Sequence, residues 1–202
     1  MAAVVALLWA EIRSSHIGIW LTKPVASTLF IVTALFAGAL DSTYGQLILS
    51  GLLLSWLGDV LLIPKGRYFF VAGLTSFLFA HLAFSGAFYQ QSLDSMHLIL
   101  AALIMSAVTV IVMRWLWPHL SGDLRAAVVA YMAAISLMVV LAAGAMADHG
   151  AYIAIGALLF AVSDLFVARE RFVFSAVANR LWGLPLYYGA QLIFALSPQW
   201  YS

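Results

Sequence analysis

The chain has 202 residues, of which 65% are hydrophobic and only 8% charged, with a mean hydropathy of +1.07. A soluble domain carries about 25% charged residues, so a water-soluble fold is excluded. The absence of cysteine removes disulfides, thiolate nucleophiles and Cys-ligated metal or iron–sulfur centres, and the net charge of +1 gives no sign of a nucleic-acid partner.

Breaks at Gly, Pro, Asp and basic residues divide the chain into eight apolar runs. They are Ala2–Ile12 (extending at most to Leu21), Pro24–Leu40, Gln46–Ile63, Phe69–Tyr89, His97–Trp117, Leu124–Ala145, Ala151–Ala168 and Leu181–Leu196. A membrane-crossing helix needs about 20 apolar residues, so eight would use about 160 and leave roughly 40 for connections and ends. The expected fold is all-α: one transmembrane domain over residues 1–202, a polytopic bundle of about eight membrane helices with short loops. The first run is interrupted by Glu11, Arg13 and His16. It is read as a short span, not a signal peptide, because no basic stretch precedes it.

Basic residues gather on cytoplasmic connections, and the nine here sort onto alternate ones. Arg13 and Lys23 lie between the first two runs, Lys65 and Arg67 between the third and fourth, Arg114 and Arg125 around the fifth-to-sixth connection, and Arg169, Arg171 and Arg180 between the last two. The other connections carry Asp41, Asp94 with His97, and Asp148 with His149. This pattern predicts an integral membrane protein with both termini outside the cytoplasm, in a bacterial inner (plasma) membrane.

Two carboxylates stand out inside the runs, and an intramembrane charge is costly enough to mark a functional candidate. Asp59 closes the segment Leu53–Asp59, and Asp164 closes a similar segment, Leu158–Asp164, 105 residues later. Each is followed by basic residues spaced by one, Lys65/Arg67 and Arg169/Arg171, which suggests a four-plus-four repeat. At ~1.5 Å per residue both lie on the order of 8 Å inside the boundary set by those basic residues. On the third run Gly51, Ser55 and Asp59 recur every four residues, a small-residue stripe that turns the carboxylate inward. His81, thirteen residues past Tyr68, lies roughly 20 Å from the same boundary, so contact with either Asp requires tilted spans or a bent cavity. Tyr131, Tyr187, Tyr188 and Gln191 are further polar candidates. Interhelical hydrogen bonding competes with a chemical role for all of them and for His81.

No G-x-S-x-G, H-E-x-x-H or P-loop motif is present, which excludes an acyl-serine hydrolase, a zincin and a nucleotide-driven machine by their signatures. One buried His and two Asp are a poor ligand set for zinc. A carboxylate pair in an apolar bundle remains, an arrangement that lets one group act as acid and the other as base.

The residues resemble the YhhN-type lysoplasmalogenases. The resemblance rests on Lys23-Pro24, Leu57-Gly58-Asp59, Gly73 with Phe77–His81, Gly156–Asp164 and Tyr187–Ile193, in order from about residue 20 to residue 197. Phe84 stands where the family often has Tyr. What the resemblance implies is hydrolysis of the vinyl ether bond of a lysoplasmalogen, releasing a fatty aldehyde and glycerophosphoethanolamine or glycerophosphocholine, with no cofactor because no electrons move. Protonating a vinyl ether gives an oxocarbenium-like cation that water attacks, the charge problem a glycosidase solves with two carboxylates. Asp59 and Asp164 are thus the expected acid and base, in either order, within about 10 Å of each other across one cavity. Lys23, Arg67 and Arg171, with His81, Tyr131, Tyr187, Tyr188 and Gln191, are the expected substrate contacts, the alkenyl chain running towards His81. A proton- or cation-coupled transporter or lipid-binding protein is the alternative; it would need a polar path to the far side, where only His81 and Gln191 are on offer. A purely structural bundle would tolerate loss of both Asp residues.

Overall fold

The computed structural model describes residues 2–145 and 150–201; Asp148 and His149 of the sixth-to-seventh connection lie outside them. Eight α-helices follow in chain order among the described residues: α1 Ala2–Ile12, α2 His16–Phe36, α3 Thr43–Leu61, α4 Arg67–Tyr89, α5 Ser95–Leu116, α6 Gly122–Gly144, α7 Gly150–Ala168 and α8 Val177–Leu196. The chain is an all-helical membrane bundle. Six helices, α2 to α7, are long and apolar enough to cross a membrane. α1, at 11 residues, spans about 16 Å and cannot cross alone. α8 is long enough, but Asn179, Arg180, Tyr187, Tyr188 and Gln191 lower its hydropathy, and all of these except Arg180 are buried inward.

At three places the structure departs from the sequence reading, each for a local reason. α2 begins at His16, capped by Ser15 Oγ accepting from Gly18 N at 3.2 Å, and passes through Pro24 without ending. A proline interrupts one helical hydrogen bond, and neighbouring helices make this tolerable inside a membrane bundle. Lys23 is therefore a helix residue, not a loop charge. α8 likewise passes through Pro185 and starts at Val177, which places Arg180 inside it. α7 ends at Ala168, as read from the sequence, but the helical path continues past it as a π turn over Arg169–Val173.

The tightest packing joins α3 to α4 and α7 to α8, and glycines allow it. A Cβ on Gly51 would fall against the Phe84 ring, and one on Gly58 would sit 2.6 Å from the Phe77 ring. Gly156, 105 residues after Gly51, receives Phe194 of α8 in the same way, at 2.8 Å. The two halves thus repeat a glycine-to-ring contact at the spacing of the two Asp residues. Phe84 is a fully buried core residue, its ring 4.7 Å from that of Phe194.

Candidate active site

A cavity of about 430 Å³ opens at the end of the bundle that carries Lys65 and Arg171. Every helix except α5 contributes to its walls, among them Glu11, Lys23, Asp59, Phe77, Asp164 and Tyr187. Asp59 and Asp164 line it together, as expected from their shared position on α3 and α7.

Asp59 sits at the last turn of α3, buried to 2% exposure. Lys23 Nζ lies 3.2 Å from its Oδ1, and the Lys23 side chain is itself only 12% exposed. Its Oδ2 accepts hydrogen bonds from Ser27 Oγ at 2.6 Å and Tyr187 Oη at 2.7 Å. Tyr188 Oη is 3.1 Å from Ser27 Oγ, so it supports the carboxylate at one remove. Three donors thus converge on one carboxylate.

Asp164 has a different environment. Tyr131 Oη donates to its Oδ2 at 3.2 Å, and His81 Nε2 lies 3.3 Å from the same oxygen. His81 Nδ1 is 2.6 Å from the carbonyl oxygen of Phe77. A carbonyl only accepts, so Nδ1 carries a hydrogen and Nε2 is the nitrogen turned to Asp164. The imidazole is fully buried, packed on Phe160 with centroids 4.6 Å apart. This meeting corrects the depth expected for Asp164. The π turn carries the helical path beyond α7 to Val173, so Asp164 lies nine residues from the end of that path, or about 13 Å inside, not five from a boundary at Arg169.

The mouth carries a polar network. Arg180 Nε is 3.2 Å from Glu11 Oε2, and its Nη1 is 3.7 Å from Glu170 Oε1. Asn179 accepts from Arg169 at 2.7 Å and donates to Glu170 at 2.8 Å. Arg171 lines the cavity with its guanidinium 4.2 Å from the centre of the Phe70 ring. Four expected substrate contacts do not line the cavity: His81 and Tyr188 stand behind the two carboxylates, and Arg67 and Gln191 are not brought to the site. Arg67 pairs with Asp123 at the exposed start of α6 and is absent from the cavity lining. Gln191 is fully buried away from the cavity, its amide without a hydrogen bond among the described residues.

Ser27, Glu11, Glu170, Asn179 and Arg180 are site residues that the sequence reading misses. Ser27 has a usable signal: it lies four residues after Lys23 and shares its helical face, once α2 is drawn through Pro24. The mouth residues join through side-chain contacts between separate helices, which no local pattern encodes.

Comparison with known proteins identifies the family. The YhhN family model matches residues 18–198. The chain is 33% identical over 201 residues to "Lysoplasmalogenase TMEM86B" of Sus scrofa, covering 96% of this chain and 81% of that protein. It is 29% identical over 197 residues to "Lysoplasmalogenase TMEM86A" of Bos taurus, covering 94% and 72%. A "Lysoplasmalogenase" of Mycobacterium tuberculosis is 38% identical over 138 residues, 65% of this chain and 52% of its own. No solved structure matches. With nine-tenths of its length under the family model and both carboxylates inside the matched region, the chain belongs to the YhhN family.

Proposed function

We propose that this protein is a lysoplasmalogenase, a hydrolase of the vinyl ether bond of a lysophospholipid. The observation that carries the reading is the unequal pair of carboxylates in one cavity. Asp59 has a cation and two hydroxyl donors; Asp164 has a tyrosine and an imidazole and, among the described residues, no Lys or Arg within ion-pair distance. The similarity of nearly the whole chain to relatives of that name supports the choice of substrate.

In this mechanism Asp164 is the general acid. It delivers a proton to the alkene carbon remote from the ether oxygen, where that proton stays, with His81 Nε2 3.3 Å from its Oδ2. Positive charge develops on the carbon bonded to oxygen, and the Asp59 carboxylate stabilises it. Water adds to that carbon as Asp59 takes its proton, giving a hemiacetal. On collapse of the hemiacetal Asp59 gives its proton to the departing glycerol oxygen and the hemiacetal hydroxyl gives its proton to Asp164, so the fatty aldehyde leaves with both carboxyl groups restored. No step needs an electron donor or acceptor. Lys23 pairs with Asp59, while Lys65 and Arg171 at the mouth meet the lipid phosphate. The basic end of the bundle is then the cytoplasmic end, and the C-terminus, at the far end of α8, is extracytoplasmic.

The test is aldehyde release from a lysoplasmalogen by the purified protein in heavy water. The aldehyde should carry one deuterium on the carbon next to the carbonyl, because that carbon receives the proton. An aldehyde without deuterium there, or no aldehyde at all, rejects the reading.

A further inference from the structure

A second cavity, about 240 Å³, adjoins the first. Its walls include Val108 and Val112 of α5, Met132 and Ile135 of α6, and Ala161 and Leu165 of α7. Among its lining residues only Asp164 and Tyr131 bear polar side-chain groups, and these two also line the polar cavity. The apolar and polar spaces therefore meet at the Asp164–Tyr131 hydrogen bond. α5, which takes no part in the polar cavity, packs on α6 and forms the outer wall of the apolar one. At the rim Ile104, Leu158 and Val162 are 61%, 50% and 42% exposed, so the groove opens sideways to the lipid tails. From Asp164 to Leu158 it runs about 9 Å along α7, towards the middle of the bundle.

We propose that this groove is the hydrocarbon-chain site: one unbranched alkenyl chain enters it between α5 and α7, placing the vinyl ether at the Asp164–Tyr131 seam and the head group among the charges of the mouth. The inference rests on the lysoplasmalogenase reading. It replaces the expected path of the chain towards His81, which lines neither cavity. Three features select the occupant. The walls are apolar along the whole groove, the one carboxylate they contain is the acid that must reach the alkene, and the lateral opening admits a chain straight from the bilayer. An ordinary bilayer chain could fill an apolar groove, but only a chain with its reactive bond next to a polar head places that bond at Asp164 and its phosphate near Arg171.

Val108, half-buried on the peripheral helix α5, permits a test that leaves the carboxylates untouched. Val108→Trp fills the groove from outside. For a long-chain lysoplasmalogen its kcat/KM should fall about tenfold or more, the scale on which apolar pockets discriminate chain atoms. A butenyl analogue with the same head group should be hydrolysed at the wild-type rate. In wild-type protein, a saturated alkyl lysolipid bearing a diazirine near the chain end should label residues 104–112 and 158–162. Excess unlabelled lysolipid should suppress that labelling, and excess diacyl phospholipid should not. Equal loss of both substrates, no loss of either, or labels spread evenly over the lipid-facing helices overturns the proposal. If the wild-type protein hydrolyses neither substrate, the hydrolase reading fails instead, and the labelling pattern still decides whether the groove takes a chain.

Discussion

Replacing Lys23 by Met should destabilise the protein sharply, and a second replacement at Asp59 should restore it. Lys23 Nζ and Asp59 Oδ1 are 3.2 Å apart, and both side chains are shielded from water. At that separation and an effective dielectric of about 20 their attraction is about 5 kcal/mol. Removing one partner of a buried pair leaves an uncompensated charge and costs about 3–5 kcal/mol. For a chain of this size that corresponds to a fall of the melting temperature on the order of 6–20 °C. Lys23→Met with Asp59→Leu removes both charges and should recover most of the loss while remaining unable to release aldehyde. The measurement is thermal unfolding in one detergent for the wild type, both single variants and the double variant, with aldehyde release alongside. If Lys23→Met costs less than about 1 kcal/mol, the pair behaves as an exposed surface pair. The reading of Lys23 and Asp59 as a buried, mutually dependent pair would then be wrong.

Other expectations follow from the same geometry. Tyr131→Phe removes the hydroxyl donor to Asp164 and should lower kcat about tenfold to a hundredfold, the worth of a hydrogen bond to a charged group, with KM little changed. Arg171→Ala should raise KM several-fold more than it lowers kcat, since phosphate contact is made equally before and during reaction, whereas Arg67→Ala should leave both constants alone because Arg67 pairs with Asp123 outside the cavity. The N-cap of α5 carries its own pH signature. His97 N–H, 2.8 Å from Asp94 Oδ1, and then the His97 ring at 2.7 Å hold the Asp94 carboxyl below the usual carboxylate range. Its stabilisation is present above the ordinary Asp value and is lost as pH falls through the lowered one. The gap in melting temperature between wild type and Asp94→Ala should accordingly be visible at neutral pH and shrink in strong acid.

The parts of the fold legible in the sequence are those set by solvent preference. Apolar runs and the sorting of basic residues locate the helices, and the cost of a charge in lipid is enough to single out Asp59 and Asp164. What escapes depends on contacts between helices. Pro24 reads locally as a break, yet α2 runs through it, so Lys23 looks like a loop charge and Ser27, one turn further on, is overlooked; α8 likewise begins four residues before the run that marks it. The π turn after Ala168 shifts the depth of Asp164 and hides its meeting with His81. Length decides the case of α1, whose eleven residues read as a short span but are too few to cross a bilayer. The lateral groove has no local signature, because Val108, Ile135 and Ala161 look like any other apolar residues until three helices bring them together.

The central claim is that two carboxylates with different roles flank one vinyl ether bond. Its most direct test is single-turnover aldehyde release by Asp59→Asn and Asp164→Asn, with lysolipid binding measured on the same preparations. Both variants should bind the lipid within a few-fold of wild type and lose about a thousandfold or more in rate, the range for a positioned acid or base. Release at near the wild-type rate from either variant would contradict the claim.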